Sequence, residues 1–161
     1  MKKYVYLGGF IEGLYWKEAF EWREKAEIFL KDAGIECYNP VVHVPENFKT
    51  SNKIVTSQKI IDYLQTNLPG LGVNFKDKVF FQDFYHLQQS NICLFNLGCS
   101  QFPKKTERIG TFWEIGAAFA LQKLKFAFNT FSVFKEHPFI ANSINLNFDS
   151  LDESLDYIVR L

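Results

Sequence analysis

The hydrophobic and polar positions along the chain predict short strands and longer helices in alternation. Apolar or β-prone runs, each stopped by glycine, proline or a polar turn, indicate five strands, at residues 4–7, 35–38, 92–95, 126–128 and 144–148. Apolar residues at steps of three and four indicate five helices, at residues 16–31, 51–68, 78–89, 114–121 and 151–159. A strand, a helix and a second strand in this order favour a parallel sheet with right-handed crossovers.

The helical patterns also predict which side chains are buried. Helix 16–31 has an apolar stripe of Ala19, Trp22, Ala26, Phe29 and Leu30, and we expect its charged residues, Arg23 among them, to cover the solvent side. Gly34 is expected to end this helix in a left-handed conformation. In the third helix we expect Val79, Phe80, Phe84 and Leu87 on the inner side, with Asp83 and His86 on or near the opposite side.

The end of the chain is predicted to form a loop or turn, an edge strand and a final helix. Residues 137–140 are predicted to form a loop or turn, and the alternating strand after them is expected at a sheet edge. Ser150 and Glu153 have the spacing of a capping box at the start of the last helix. The residues of that helix expected to face inward are Leu151, Leu155, Ile158 and Val159.

Composition indicates one folded domain and removes several classes of function. The 161 residues are 47% hydrophobic and include eighteen phenylalanines, so an intrinsically disordered chain is excluded. The 18 basic and 18 acidic residues balance, so the charge supports neither a nucleic-acid groove nor a membrane patch. We find no signal-peptide pattern and no run near the roughly 20 apolar residues of a membrane span, and we expect a cytoplasmic location.

The cysteines and histidines point away from metal and disulfide chemistry. Cys37, Cys93 and Cys99 are odd in number and lack a Cys-x-x-Cys spacing, so neither a disulfide framework nor a zinc site is predicted. His43 and His86 are not at metal-ligand spacing either. We therefore expect a reduced protein without a bound metal.

The candidate chemistry lies in residues 91–121, where a buried strand, a loop and a helix follow one another. Ligands bind at this place in open α/β sheets, outside the carboxyl ends of the strands. We expect Glu114 in the first turn of the helix, where the helix dipole would keep its carboxylate ionised. The alternative is that Glu114 is an ordinary first-turn acid. Gly8 and Gly9 would let a ligand approach the end of the first strand, although they do not form a dinucleotide-binding motif.

Several segments, taken in order, resemble the nucleoside 2-deoxyribosyltransferase family. They are Tyr6-Leu7-Gly8-Gly9-Phe10, Ile11-x-Gly13 followed by Trp22-Arg23, Gly34-Ile35 to Asn39-Pro40, Asp83 eight residues before Asn91, and Gly110-Thr111-x-x-Glu114-Ile115-Gly116-x-Ala118. The resemblance implies a single flavodoxin-like domain over residues 1–161, a doubly wound α/β sheet of about five mostly parallel strands with helices on both faces. Residues 41–78 would be an insertion or a base-pocket region.

The family cleaves the N-glycosidic bond of 2′-deoxynucleosides and passes the deoxyribosyl group to another base. The resemblance implies that Glu114 is the nucleophile, that Asp83 handles the proton of the base, and that Tyr6 orients Glu114. Such a bond breaks through an oxocarbenium-like transition state, which a carboxylate can stabilise and then trap, while an acid assists the leaving base. Without the resemblance, Tyr6 would be interpreted as a core residue and Asp83 as a solvated helix acid.

Further residues are candidates for substrate contacts. The matched segments place Gly8, Gly9, Phe10, Gly110 and Thr111 near the substrate. Trp16, with Phe10 and the 41–48 loop, could stack on or flank the base, because aromatic faces bind bases well. The resemblance also makes His137 or Asn142 a candidate to reach a phosphate from a neighbouring subunit, although a lone histidine before proline is more often structural.

One departure from the family pattern leaves the substrate open. Many members have an aspartate six residues before the nucleophile, where this chain has Arg108. With Lys104 and Lys105 nearby, Arg108 suits a phosphate, because a guanidinium matches phosphate oxygens; a solvated basic loop is the alternative. The related 2′-deoxynucleoside 5′-monophosphate N-glycosidases transfer the sugar to water. A nucleotide-sensing module without turnover is the third possibility.

The expected partners follow from these readings. They are a 2′-deoxynucleoside or 2′-deoxynucleotide and a free nucleobase, with no cofactor, no metal, no nucleic acid and no membrane. The resemblance also implies a homo-oligomer whose active sites are completed across subunits.

Overall fold

A computed structural model of the chain describes residues 2–41, 54–55, 75–100 and 108–161, with the backbone alone for residues 75–79. The strands are β1 (Tyr4–Gly9), β2 (Glu36–Tyr38), β3 (Ile92–Asn96), β4 (Leu124–Phe128) and β5 (Leu146–Phe148). The helices are α1 (Trp16–Asp32), α2 (Phe75–Gln89), α3 (Ile109–Ala120), α4 (Ser132–Glu136), α5 (Pro138–Ser143) and α6 (Leu151–Arg160). The predicted helix 51–68 lies outside the described residues, apart from residues 54–55.

The five strands form one parallel sheet in the order β2-β1-β3-β4-β5. This is the flavodoxin-like order of doubly wound sheets, so the predicted fold class is confirmed. Strand β5 lies at an edge, as its alternating pattern indicates.

Alternate residues of each strand serve two separate cores. Val5 and Leu7 belong to a cluster with residues of α1 and α6, whereas Tyr6 belongs to a cluster with residues of α2, α3 and α4. Both clusters contain fully buried side chains from β3 as well. The sheet is therefore covered on both faces, which explains why residues 92–95 of β3 are all apolar.

Helix α1 ends where the sequence predicts, but it buries one charged residue. The N–H of Gly34, at φ 72°, donates to the carbonyl of Lys31 at 2.9 Å, and the N–H of Ile35 donates to that of Leu30 at 2.8 Å. These two bonds form a Schellman cap. The solvent-facing prediction for Arg23 is wrong, because its side chain is completely buried.

Three helix predictions in the second half of the chain need correction. Helix α3 begins at Ile109, so Glu114 is its sixth residue and lies in the second turn, not the first. Residues 137–140 are not simply a loop, because α5 starts at Pro138, a residue suited to the first turn of a helix. In α6 the Ser150 cap is confirmed, with the Glu153 N–H donating to Ser150 Oγ at 3.2 Å, but Glu153 Oε2 accepts from the Asp149 N–H and Val159 is 37% exposed.

Helix α2 turns a different side to the sheet from the one that its aromatic residues indicate. Leu87 is buried as predicted, but Phe80 is 46% exposed. Phe80 and Phe84 pack on Trp113 of α3 instead, with ring centroids 4.8 and 5.6 Å from the Trp113 ring. The prediction that Asp83 and His86 lie on or near the opposite side of the helix is wrong, because Asp83 accepts a hydrogen bond from Tyr38 of β2 and His86 stacks on the Tyr38 ring.

Candidate active site

The candidate site lies where the chain direction across the sheet reverses. From β1 the chain crosses to β2 on one side, whereas from β3 it crosses to β4 on the other. Gly8 and Gly9 end β1 beside Phe95 and Asn96, which end β3. Ligands bind in the crevice at such a switch point because the two loops diverge there.

Gly8 brings the backbone of β1 against the carboxylate of Glu114. A Cβ atom at position 8 would lie 2.4 Å from two ring carbons of Phe95 and 3.2 Å from Oε2 of Glu114. At Gly9, φ is 139° and a Cβ atom would lie 2.8 Å from the carbonyl oxygen of Asn96. Both positions therefore require glycine, which gives a structural reason for the Gly-Gly pair.

Glu114 accepts hydrogen bonds from two groups of β1. The buried Tyr6 hydroxyl donates to Oε1 at 2.7 Å, and the backbone N–H of Gly9 also donates to the carboxylate. Burial raises the pKa of Tyr6 well above its ordinary value, so the hydroxyl keeps the proton that it donates. The close contact between Tyr6 and Glu114 agrees with the orienting role predicted for Tyr6, and that role itself stays a prediction.

Burial is the main reason why the pKa of Glu114 is raised, to about 8. The negative charge of Asp83 raises it further, while the Tyr6 hydroxyl, the Arg23 guanidinium and the Gly9 N–H act in the opposite direction. The prediction that a helix N-terminus keeps Glu114 ionised is therefore wrong. The carboxyl is too far along α3 to benefit from the dipole, which acts within the first turn.

Asp83 reaches the same region from α2. Its Oδ1 accepts a 2.9 Å hydrogen bond from the hydroxyl of Tyr38, at the end of β2. Burial raises the pKa of Asp83 to about 6, although the Tyr38 hydrogen bond and the charge of Arg23 lower it. The rings of Tyr38 and Tyr6 lie 5.8 Å apart, so neighbouring tyrosines hold the two carboxyl groups.

Arg23 is a functional candidate that the helical pattern did not identify. Its Nε, Nη1 and Nη2 donate to the carbonyls of Leu7, Ala19 and Gly9 at 3.3, 2.5 and 3.0 Å. Burial lowers its pKa to about 10, so it remains charged at neutral pH. Its spacing from Ala19, Ala26 and Leu30 in α1 follows the buried stripe, and this helical phase could have revealed it.

The buried charges leave the pair of carboxyls with one proton near neutral pH. One buried cation faces two carboxyl groups whose pKa values are raised to about 6 and about 8. Between these values one carboxyl is ionised and the other protonated. A reaction that uses one carboxyl as nucleophile and the other as acid needs one of them ionised and the other protonated.

Four further candidates for substrate contacts differ in their exposure to solvent. Phe10 and Trp16 are 2% and 3% exposed, and the Phe10 ring packs edge-on against Phe112 at 6.1 Å. Thr111 is also buried, whereas Gly110 is exposed in the first turn of α3. Substrate contacts by these four residues stay predictions, as does stacking by the 41–48 loop, which lies outside the described residues apart from Val41.

The three candidate phosphate residues meet in a separate cleft. Arg108, His137 and Asn142 line a space of about 880 Å³ between α3 and the short helices α4 and α5, here called the α3–α5 cleft. Its other lining residues include Phe112, Phe119, Val133, Phe134 and Phe139. Among the described residues that line it, Glu114, Asp83 and Tyr6 do not occur. Lys104 and Lys105 lie outside the described residues.

Within the described ranges, no three His, Cys, Asp or Glu side chains are grouped closely enough to hold a metal ion. Of the helices in those ranges, none is both long and apolar enough to cross a membrane.

Comparisons with known proteins identify solved structures that have a similar fold. No protein-family model and no curated protein matches the sequence. A 2-deoxyribosyltransferase structure from Bacillus psychrosaccharolyticus has a TM-score of 0.63 at 20% identity, covering 96% of this chain and 91% of that chain. A 2-desoxiribosyltransferase from Leishmania mexicana has a TM-score of 0.57 at 14% identity, covering 98% and 97%.

A third solved structure with this fold is an N-glycosidase. The CMP N-glycosidase of Clostridium botulinum has a TM-score of 0.51 at 15% identity, covering 97% of this chain and 98% of that chain. The resemblance stated from the sequence is thus confirmed in its fold. The chain has the fold that these 2-deoxyribosyltransferases and this N-glycosidase share over nearly their whole lengths.

Proposed function

We propose that the protein is a nucleoside 2-deoxyribosyltransferase that cleaves the N-glycosidic bond of 2′-deoxynucleosides. The observation that carries this proposal is the pair of partly buried carboxyls at the switch point, Glu114 on Tyr6 and Asp83 on Tyr38. The pair holds one proton near neutral pH, and it lies in a fold that 2-deoxyribosyltransferases share.

In the first step the ionised Glu114 carboxylate attacks C1′ on the face opposite the base. The C1′–N bond breaks, its electrons leave with the base, and the base takes the proton of Asp83. The sugar is then an ester of Glu114. At the start of this step the shared proton is on Asp83, whereas in the ligand-free state it is on Glu114. The two arrangements have the same total charge.

In the second step another base attacks C1′ and displaces Glu114. The incoming nitrogen loses its proton to Asp83, which is thereby ready for the next cycle. Two displacements at one carbon retain its configuration. Arg23 offsets the negative charge throughout, and the route requires neither a cofactor nor a metal.

A second candidate is a 2′-deoxynucleoside 5′-monophosphate N-glycosidase with the same carboxyl pair. The observation that favours it is Arg108, which stands where many transferases have an acid and shares the α3–α5 cleft with His137 and Asn142. In this reaction water replaces the second base, and Arg108 holds the 5′-phosphate.

We also propose a homo-oligomer in which a second copy completes the site. Three apolar residues of the α3–α5 cleft are well exposed in one protomer: Phe139 at 80%, Phe119 at 55% and Val133 at 49%. The cleft holds the candidate phosphate residues but not Glu114, so a neighbouring copy could bring the two groups together.

Product analysis tests these candidates directly. Each of a panel of 2′-deoxynucleosides and their 5′-monophosphates is incubated with a second free base and analysed by chromatography. A new deoxynucleoside supports the transferase, whereas free base with deoxyribose 5-phosphate and no new nucleoside supports the glycosidase. Thermal stabilisation by a substrate with no base release would replace both with a binding module.

A further inference from the structure

We propose that Tyr38 is a positioning residue that fixes the orientation of Asp83 and the proton that Asp83 carries, and that His86 and Tyr4 hold Tyr38 in place. The inference deepens the proposed function, on which it rests for the role of Asp83. It concerns a chain of four side chains from three different elements.

The ring of Tyr38 is confined on two sides. The His86 imidazole stacks on it with centroids 3.8 Å apart and planes 10° from parallel. The Tyr6 ring lies 5.8 Å away, tilted by 31°. Tyr38 is only 8% exposed, so its hydroxyl has one settled direction, toward Oδ1 of Asp83 at 2.9 Å.

His86 is itself fixed by the first strand. The Tyr4 hydroxyl forms a 2.6 Å hydrogen bond with His86 Nδ1, and burial lowers the pKa of His86. His86 follows Asp83 by three residues in α2 and therefore lies on the same side of the helix. One face of α2 therefore carries both Asp83 and His86. His86 stacks on Tyr38, which donates the hydrogen bond to Asp83.

This arrangement has a consequence for the proton of Asp83. Because Oδ1 accepts from the Tyr38 hydroxyl, a proton on Oδ1 would compete with that donor, so protonation at Oδ2 is favoured. The hydrogen bond also stabilises the ionised form and lowers the pKa of Asp83. An acid with a fixed proton position is what a departing base requires.

The other charged and titratable groups around Asp83 come from several elements. In the described part of the chain they are Arg23 of α1, Glu114 of α3, Tyr6 of β1, Tyr38 of β2 and, on the same helix as Asp83, His86. Tyr38 is the one among these that donates a hydrogen bond directly to Asp83. Removing its hydroxyl alone therefore isolates its effect.

The test is a pH titration of the Asp83 carboxyl by ¹³C NMR in the ligand-free protein, with the Asp83 signal assigned from Asp83→Asn. Tyr38→Phe keeps the stacked ring and removes the hydroxyl, and should raise the apparent pKa of Asp83 by about one unit. His86→Ala keeps the hydroxyl but frees the ring, and should shift the pKa in the same direction by less. Tyr85→Phe, an exposed site on α2, should leave it unchanged.

A kinetic readout then connects positioning with chemistry. In Tyr38→Phe the loss in kcat should be larger for bases that leave poorly without protonation than for bases that leave readily. An unchanged Asp83 pKa in Tyr38→Phe would overturn the proposal; if that variant does not fold, an unchanged pKa in His86→Ala would do so. Because the titration needs no substrate, its result stands even if the proposed reaction is wrong.

Discussion

The hydroxyl of Tyr6 donates a 2.7 Å hydrogen bond to Oε1 of Glu114, across a sequence separation of 108 residues. This bond joins strand β1 to helix α3, which follows the neighbouring strand β3. Gly8 allows the contact, because any side chain there would meet the same carboxylate and the Phe95 ring. Strand β1 therefore holds the Glu114 carboxylate through Tyr6 and through the close approach at Gly8.

The pH dependence of catalysis should follow the shared proton. Below about pH 6 both carboxyls are protonated and Glu114 cannot attack, while above about pH 8 both are ionised and the base receives no proton. We expect a bell-shaped profile of kcat/KM with apparent pKa values of the pair near these limits. A profile that rises steadily through pH 9 would contradict the shared proton.

Glu114→Gln should stabilise the protein at high pH while removing activity. The raised pKa of Glu114 means that its contribution to stability is fully present below an unfolded pKa of about 4.3 and is lost as the pH rises through about 8. Glutamine still accepts from Tyr6 but never ionises. We expect a gain in unfolding free energy on the order of 2 kcal/mol at pH 8.5 and little at pH 5, measured by urea unfolding.

Gly8→Ala should damage both stability and catalysis. The added methyl group meets the buried Phe95 ring and the Glu114 carboxylate, so we expect a loss of about 1–3 kcal/mol in unfolding free energy and at least a tenfold loss in kcat/KM. Gly116→Ala in α3 is the matched control. Among the described atoms none lies within 4 Å of a Cβ there, so stability should be equal or slightly higher. Equal behaviour of the two variants would contradict the close approach at Gly8.

Arg23→Met should unfold more easily and shift the active pH range upward. The substitution leaves buried carbonyls of Leu7, Ala19 and Gly9 without their donor, a loss of about 3 kcal/mol or more in unfolding free energy. It also removes a charge that lowers the pKa of Asp83 and of Glu114.

Lys25→Met controls for Arg23→Met on the same helix. Its exposed 2.6 Å ion pair with Asp152 should contribute less than about 1 kcal/mol. Equal unfolding free energies for the two variants would contradict the structural role of Arg23. An unshifted pH profile in Arg23→Met, or a profile in the still cationic Arg23→Lys that shifts as far as in Arg23→Met, would refute the charge-balancing role.

The fold followed from the sequence because strand period and helix period are local properties. The apolar run at Ile92 and the stripe of α1 each predict one element, and the order of elements predicts a parallel sheet. The ends of the helices were harder to predict. Arg108 makes no side-chain hydrogen bond as the N-cap of α3, so the sequence carries no start signal there and Glu114 was placed one turn too early.

The site could be predicted only where the family resemblance assigned a role to a residue. Glu114, Asp83 and Tyr6 came from the resemblance, and the structure brings the first and third into contact. Tyr38 was missed because its bond to Asp83 joins residues 45 apart in the sequence, which no local pattern reveals. Arg23 was missed because its charge was weighed above its helical phase, although three carbonyls satisfy it in the core.

The central claim is that Glu114 forms a covalent bond to C1′ of the sugar, and trapping that ester tests it most directly. The protein is mixed with a 2′-deoxynucleoside in the absence of a second base, quenched in acid, digested and analysed by mass spectrometry. We predict one deoxyribosyl group on the peptide that contains Glu114, and none in Glu114→Ala, whose rate should fall by several orders of magnitude, on the order of 4 kcal/mol or more. Turnover by Glu114→Ala at the wild-type rate, or a deoxyribosyl group on a different residue, would contradict the account.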